Sequence, residues 1–227
     1  MPRPQPSTAP LLLGHRGARA RKDIAENTFA AFDQALADGC DGFEFDVRLT
    51  ADGQPVICHD ATVKSSEGEK KEIARSSACE LSDLPRLDQV LERYRSRAFL
   101  DIELKVPGLE AITSELLRKS PPRPGFVVSS FLPEVIAALH ATDPSLPLGL
   151  IADADRLLRL WSKLPVAWVI PHRSLVTPRR IARWRAAGKR ILVWTVNSPS
   201  EMRRLAASGV DALISDDTAR LSATLRR

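Results

Sequence analysis

The sequence predicts an α/β fold closed as a (β/α)8 TIM barrel, and three observations carry that prediction. Short apolar runs alternate with amphipathic stretches from residue 11 to the C-terminus. Eight such strand–helix units imply a parallel sheet, and eight units close most simply into a barrel. The competing open, doubly wound sheet lacks support, because no Gly-x-Gly-x-x-Gly motif follows a strand. At 44% hydrophobic and 27% charged, the 227 residues exclude a disordered chain. No run approaches the ~18 consecutive apolar residues that a membrane-spanning helix needs.

Taken in order, strands are predicted at 11–15, 42–49, 98–105, 125–129, 147–151, 166–172, 190–196 and 212–215. Helices are predicted at 28–37, 87–94, 109–118, 133–140, 154–163, 178–187 and 200–208, with a last one after Asp217. Asn27-Thr28 and Thr177-Pro178 are helix start signals. Gly39, Gly188 and Gly209 are stop signals. An extra extended run, 55–59, follows the second strand, and the polar stretch 59–86 reads as a short lid-like loop on the barrel. Residues 1–10 form a Pro-rich flexible segment without the apolar core of a signal peptide, and 11–227 form one domain. Cys40, Cys58 and Cys79 are odd in number and show no CxxC spacing, so neither a zinc site nor a disulfide framework is indicated. A reducing, cytoplasmic location is expected.

The net charge of +5 invites a nucleic-acid reading until its distribution is considered. Between residues 156 and 200 there are ten Lys/Arg and no Asp or Glu, and the rest of the chain is net acidic. Arg156, Arg159 and Lys163 oppose an apolar face containing Leu157, Leu158, Leu160 and Trp161. Arg179, Arg180 and Arg183 oppose Ile181 and Trp184 in the same way. These are outer faces of barrel helices and solubility explains most of them. No aromatic stacking platform accompanies them, so nucleic acid is not expected as a partner. Weak contact with an anionic membrane surface is the better functional reading. Nothing in the sequence specifies an oligomeric state.

Barrel chemistry sits at the C-terminal ends of the strands. Those ends read His15-Arg16, Glu44 and Asp46, Glu103 and Lys105, Ser129-Ser130, His172, Trp194 to Asn197, and Ser215-Asp216, with His59 closing the extra run. Residues two apart on a strand share a face. Glu44 and Asp46 therefore point together, as do Asp101, Glu103 and Lys105, while Phe43, Phe45, Val47, Leu100, Ile102 and Leu104 face the helices. Buried carboxylates need a partner or a cation. Three of them converging suit a hard divalent ion, Mg2+ or Ca2+; the structural alternative is a pair of ion pairs, Glu44–Arg16 or Glu103–Lys105. His15 and His59 supply proton transfer near neutral pH, the planar Arg16 fork suits phosphate, and Gly17 permits close backbone approach. Together these groups describe metal-assisted cleavage of a phosphate ester.

At this level of detail the chain resembles the glycerophosphodiester phosphodiesterase family. The likeness rests on GHRGA at 14–18, ENT at 26–28, EFDVRLTADGQPVICHD at 44–60, DIELK at 101–105, SSF at 129–131, VWTVN at 193–197 and GVDALISD at 209–216. The resemblance implies a (β/α)8 barrel and a divalent metal held by Glu44, Asp46 and Glu103. It implies acid–base catalysis by His15 and His59, and a phosphate gripped by Arg16 and Lys105. Phe131 and Trp194 would wall the glycerol or alcohol pocket, and His172 would contact substrate or a neighbouring side chain. Glu26 would orient Arg16 or add a metal contact. The implied reaction is hydrolysis of a glycerophosphodiester, a small-molecule partner, to glycerol 3-phosphate and an alcohol, a step of glycerol and lipid metabolism. The stretch after His59-Asp60 departs from the family pattern and shortens the lid, so a lysophospholipase D-type activity on lysophospholipids is the alternative. A phosphate-binding scaffold on a retired barrel is disfavoured by the complete set of catalytic-type residues.

Overall fold

In the computed structural model, which describes residues 9–64 and 68–226, the eight expected strands close into a ring. Residues 1–8 of the expected flexible segment and 65–67 of the expected lid lie outside the described residues. The chain runs β1 (Leu11–Gly14), α1 (Phe29–Ala37), β2 (Gly42–Leu49), β3 (Pro55–Ile57), β4 (Thr62–Lys64), β5 (Lys70–Glu72), α2 (Leu87–Tyr94), β6 (Phe99–Leu104), α3 (Glu110–Lys119) and β7 (Phe126–Ser130). It continues α4 (Pro133–Thr142), β8 (Leu148–Ala152), α5 (Asp155–Leu158), β9 (Trp168–Pro171), α6 (Pro178–Ala186), β10 (Arg190–Val193), α7 (Pro199–Ala207), β11 (Ala212–Ser215) and α8 (Thr218–Leu225). The ring order is β1-β2-β6-β7-β8-β9-β10-β11, every pair parallel, with β11 returning to β1. β3 runs antiparallel along β2, outside the ring.

The start signals behave as the sequence indicates. Thr28 caps α1 by accepting from the Ala31 amide at 3.2 Å, and Thr177 caps α6 by accepting from the Arg180 amide. Two expectations change. The segment 59–86 is not simply a loop: β4 and β5 pair antiparallel, and Ile73 and Leu81 bury against Val56 beside β2. The helix expected at 154–163 is only the short α5, continued by a 3-10 turn over Arg159–Ser162. Leu158 and Trp161, three apart and both buried, stack on one side when the winding tightens to three residues per turn.

Strand parity divides the apolar residues into two layers. Leu13, Phe99, Val127, Trp168, Leu192 and Ile214 fill the barrel interior. Phe43, Phe45, Val47, Leu100, Ile102 and Leu104 pack outward against the helices. Phe43 stacks on Phe32 of α1 at 4.2 Å and meets Tyr94 of α2 edge-on at 4.9 Å. Each such aromatic pair contributes about 1 kcal/mol beyond its buried area. With the odd-numbered residues of β2 and the even-numbered ones of β6 committed to that outer layer, Glu44, Asp46, Asp101 and Glu103 must point inward.

The β2–β6 pairing begins at Gly42, whose place is set by contact: a Cβ there would lie 1.8 Å from the Phe99 carbonyl oxygen. Gly42→Ala is expected to lower stability by about 3 kcal/mol, a fall in melting temperature of about 10 °C. Thermal denaturation followed by circular dichroism checks this, and an unchanged transition would refute the contact argument.

Candidate active site

The site is built first from the turn after β1. The His15 amide bonds the Ser215 carbonyl at 2.9 Å, extending the β1–β11 ladder by one residue. The chain then turns through two left-handed residues, Arg16 at φ 51° and Gly17 at φ 81°. A Cβ on Gly17 would lie 2.5 Å from the Ala31 carbonyl carbon, so only glycine lets this turn rest on α1. The turn carries the Arg16 amide to Glu44 Oε2 at 2.9 Å. It also lays the guanidinium between Glu26, with Nη1–Oε1 at 2.7 Å, and Asp46, with Nε–Oδ2 at 3.2 Å. Glu26 thus takes the Arg16-orienting role of its two expected roles. Asn27, buried and left-handed at φ 58°, donates from Nδ2 to Asp46 Oδ2 at 2.9 Å.

Glu44, Asp46 and Glu103 each offer an oxygen, and these atoms all lie within 4.8 Å of one another. Lys105 Nζ stands 2.5 Å from Glu103 Oε1 and 3.2 Å from Asp46 Oδ1. Of the two ion pairs anticipated, Glu103–Lys105 is present, while the Arg16 guanidinium pairs with Asp46 and Glu26 instead of Glu44. Among the described residues Glu44 has no lysine or arginine side-chain nitrogen within 4.0 Å, only the Arg16 amide and His15 Nε2 at 3.9 Å. Its Oε1, like Asp46 Oδ1, is buried without a hydrogen bond. Asp46 Oδ1 still has Lys105 beside it, so Glu44 Oε1 is the oxygen left without a partner, a donor a hard cation would satisfy.

Burial together with Asp46, Glu103 and Asp101 raises the Glu44 carboxyl well above its ordinary range. Burial and Asp46 push Glu103 up to about 7, against the opposing pull of Lys105. Asp46 is buried too, but Lys105, Arg16 and the Asn27 hydrogen bond outweigh that burial and hold it low. Asp101 sits one layer deeper and is fully buried. It accepts from Ser129 Oγ at 2.5 Å, leaves its other oxygen unbonded, and is pushed by burial to about 7.

Both histidines are held by carboxylates. His15 Nδ1 lies 2.6 Å from Asp216 Oδ1, and Asp216 also accepts from Asn197 Nδ2 at 2.6 Å and from Arg19 Nη1 at 3.2 Å. His59 Nδ1 lies 2.7 Å from Asp60 Oδ1. An ionised carboxylate only accepts, so in each ring Nδ1 carries the proton and Nε2 is left for chemistry.

These groups meet in one cavity of about 160 Å³. His15, Arg16, Glu44, His59, Glu103 and Lys105 form its polar side, with Asp101 at the floor. Phe131, Trp194, Ile151, Ile170 and Ile214 form the apolar side. Asp46 lies just beneath, within the acidic cluster. Phe131 and Trp194 meet edge to face at 5.5 Å, and Lys105 Nζ stands 5.8 Å from the Phe131 ring centroid. His172 does not line the cavity; it packs edge-on against Trp194 at 5.3 Å and bonds Ser174. Sequence reasoning missed Asp216 and Asp60 as the orienting carboxylates, Asn27 as the Asp46 partner, and Asp101 as the floor. Asp60 follows a singled-out histidine and Asp216 ends the eighth barrel strand, so position alone pointed to both. The Asn27 contact required the tertiary fold.

Fold and cavity together define a barrel enzyme of the hydrolase class. More particularly, the chain belongs to the glycerophosphoryl diester phosphodiesterase family, whose model matches residues 15–121 and 111–220. It is 28% identical to a glycerophosphodiester phosphodiesterase of Caldanaerobacter subterraneus subsp. tengcongensis, covering 96% of this chain and 98% of that one. The crystal structure of an Agrobacterium tumefaciens glycerophosphodiester phosphodiesterase matches with TM-score 0.83 and 28% identity, covering 94% and 99% of the two chains. An Oleispira antarctica phosphodiesterase, solved in complex with the product sn-glycerol-3-phosphate, matches with TM-score 0.81 and 25% identity, covering 95% and 96%.

The raised carboxyls have a consequence for stability. Glu44, Asp101 and Glu103 hold their protons to higher pH when folded than when unfolded. The native state therefore binds more protons between about pH 5 and 7, so stability falls as pH rises through that window, by a few kcal/mol in all. Melting temperature in EDTA is expected to drop from pH 5 to pH 7.5, and Mg2+ or Ca2+ at 100 times its Kd to restore about 2.7 kcal/mol at the upper pH. A melting temperature independent of both pH and cation would show that the three carboxyls are compensated in some other way.

Proposed function

We propose that this protein hydrolyses glycerophosphodiesters to glycerol 3-phosphate and an alcohol, with His15 and His59 as its acid–base pair. One observation carries the reading: two imidazoles, each backed at Nδ1 by a carboxylate, line the same small cavity as the acidic cluster. The Oleispira antarctica neighbour's product complex supports glycerol 3-phosphate as the product here. Glu44, Asp46 and Glu103 would hold the divalent cation, Mg2+ or Ca2+, and the unpartnered Oε1 of Glu44 favours it. When bound, that cation would supply Lewis-acid polarisation of the phosphate and offset negative charge building on its oxygens.

The remaining steps belong to side chains of this chain. Arg16 and Lys105 line the cavity beside the cluster and bind the phosphate oxygens. Phe131 and Trp194 pack against the glycerol carbons on the apolar side. One histidine takes a proton from the attacking water as its oxygen bonds phosphorus, while the other protonates the departing alkoxide as its bond to phosphorus breaks, leaving glycerol 3-phosphate and the alcohol. Asp216 and Asp60 keep each Nε2 pointed inward and stabilise the imidazolium while it exists. A cavity of about 160 Å³ takes the glycerol phosphate end of a substrate and leaves an acyl chain outside. That favours small glycerophosphodiesters over the lysophospholipid alternative. The three cysteines are free, in keeping with a reducing, cytoplasmic location.

Release of glycerol 3-phosphate from glycerophosphocholine tests the reading. His15→Ala and His59→Ala are each expected to lower kcat by about 10²–10⁴-fold in a folded protein. Asp216→Asn is expected to lower kcat by a smaller factor with KM little changed, because it misorients the His15 ring without removing it. Dialysis against EDTA is expected to abolish turnover and Mg2+ or Ca2+ to restore it. Near-wild-type rates in either histidine variant would overturn the acid–base assignment.

A further inference from the structure

The ten lysines and arginines between residues 156 and 200 take no part in the proposed reaction. Some have local partners. Arg173 pairs with Glu201 at 3.0 Å, Arg180 with Asp155 at 2.6 Å, and Arg190 reaches Asp211 at 4.0 Å. Arg185 and Lys189 bond the carbonyls of Gly209 and Val166. Among the described residues, Arg156, Arg159, Lys163, Arg179 and Arg183 have no carboxylate within ion-pair distance. Such a surplus is unusual on an ordinary solvated helix, where charges of both signs intersperse.

Their arrangement is specific. Arg159, Arg180 and Arg183 line one open depression of about 490 Å³ between the α5 segment and α6. Arg179, Arg180 and Arg183 line a second of about 510 Å³ with Thr177. Arg183 is steadied over the Trp161 ring at 5.4 Å, and Arg180 by Asp155 and the Leu175 carbonyl. In a (β/α)8 barrel each helix starts at the C-terminal end of the preceding strand. The first turn of α6, bearing Arg179 and Arg180, therefore stands at the same end as the catalytic cavity. On the β2 side of that mouth, Lys64 and Lys70 occupy directly opposed positions of β4 and β5 at the edge of a depression they share with His59, Glu26, Asp60 and Asp83.

We propose that the catalytic end of the barrel docks on the anionic face of a phospholipid bilayer, with the arginine rim of α5 and α6 on one side of the mouth and Lys64 and Lys70 on the other. Arginine forks match the phosphate groups of lipid headgroups, and such a surface recruits clustered cations at ordinary ionic strength. A nucleic acid fits less well. The aromatic residues beside the arginines, Trp161 and Trp184, are 7% and 1% exposed and offer no stacking face. The docking is independent of the reaction, so its failure and that of the hydrolase reading are separately visible.

Vesicle sedimentation of the full chain tests it, with pure phosphatidylcholine against a 3:1 mixture of phosphatidylcholine and phosphatidylglycerol. Binding is expected only to the mixed vesicles, falling at least tenfold as salt rises through the range where exposed charges become screened. The triple variant Arg159→Glu, Arg179→Glu, Arg183→Glu is expected to lose at least tenfold in vesicle affinity while hydrolysing soluble glycerophosphocholine at the wild-type rate. Lys64→Glu with Lys70→Glu is expected to weaken vesicle binding as well, because both rims face the surface. Four results would overturn the proposal: no binding at low salt, equal binding to both vesicles, wild-type binding by the triple variant, or tighter binding to duplex DNA at matched phosphate concentration.

Discussion

The register of β2 against β6 is the constraint on which the rest of this structure depends. Residues 42 to 47 face residues 99 to 104 one for one, so Glu44 lies beside Asp101 and Asp46 beside Glu103. A slip of β2 by one residue would send Glu44 and Asp46 into the helix layer, away from Asp101 and Glu103, and bring Phe43 and Phe45 into the barrel interior. The outer aromatic stack of Phe32, Phe43 and Tyr94 opposes that slip, and the Gly42–Phe99 approach opposes it from the start of the strand. The acidic cluster is thus held in place by apolar contacts on the opposite face of the same two strands.

Charge placement follows from that cluster. Lys105 extends the inward-facing parity of β6, and Arg16 reaches the cluster only because Gly17 allows a left-handed turn against Ala31. These two cations lie on Asp46 and Glu103 and leave Glu44 to the Arg16 amide and His15. The two histidines come from different directions, His15 from the end of β1 and His59 from beyond β3, and each brings its own carboxylate. His59 depends on the antiparallel β3, which the ring itself does not require. A strand outside the barrel therefore positions one half of the proposed acid–base pair.

Much of this was legible in the sequence because period-two alternation is strong in both 42–49 and 98–105. Parity alone assigned Glu44, Asp46, Glu103 and Lys105 to one face and their apolar neighbours to the other. The ring closure followed from counting units, and the helix caps from Thr28 and Thr177. What escaped was tertiary. The 59–86 stretch is polar and lacks a long apolar run, so a two-stranded hairpin anchored by Ile73 and Leu81 left no periodic trace. The 3-10 turn after α5 and the apolar residues of an amphipathic helix share much the same spacing, and the choice between them depends on how Leu158 and Trp161 meet the barrel. Partner choice was the other gap: Arg16 selects Asp46 and Glu26 through the direction of its turn, which no spacing rule encodes.

The fixed charges of the cavity also bear on the order in which its occupants can bind. With the carboxyls ionised, Glu44, Asp46, Asp101 and Glu103 carry two more negative charges than Arg16 and Lys105 offset, and a phosphodiester adds another. An anion entering that space alone meets repulsion in a setting where water screens little. A divalent cation would cancel that excess, and an anionic substrate would in turn strengthen the hold on the cation. By linkage the two affinities must rise together. The unpartnered oxygen of Glu44 is then the feature that would make cation and substrate depend on each other.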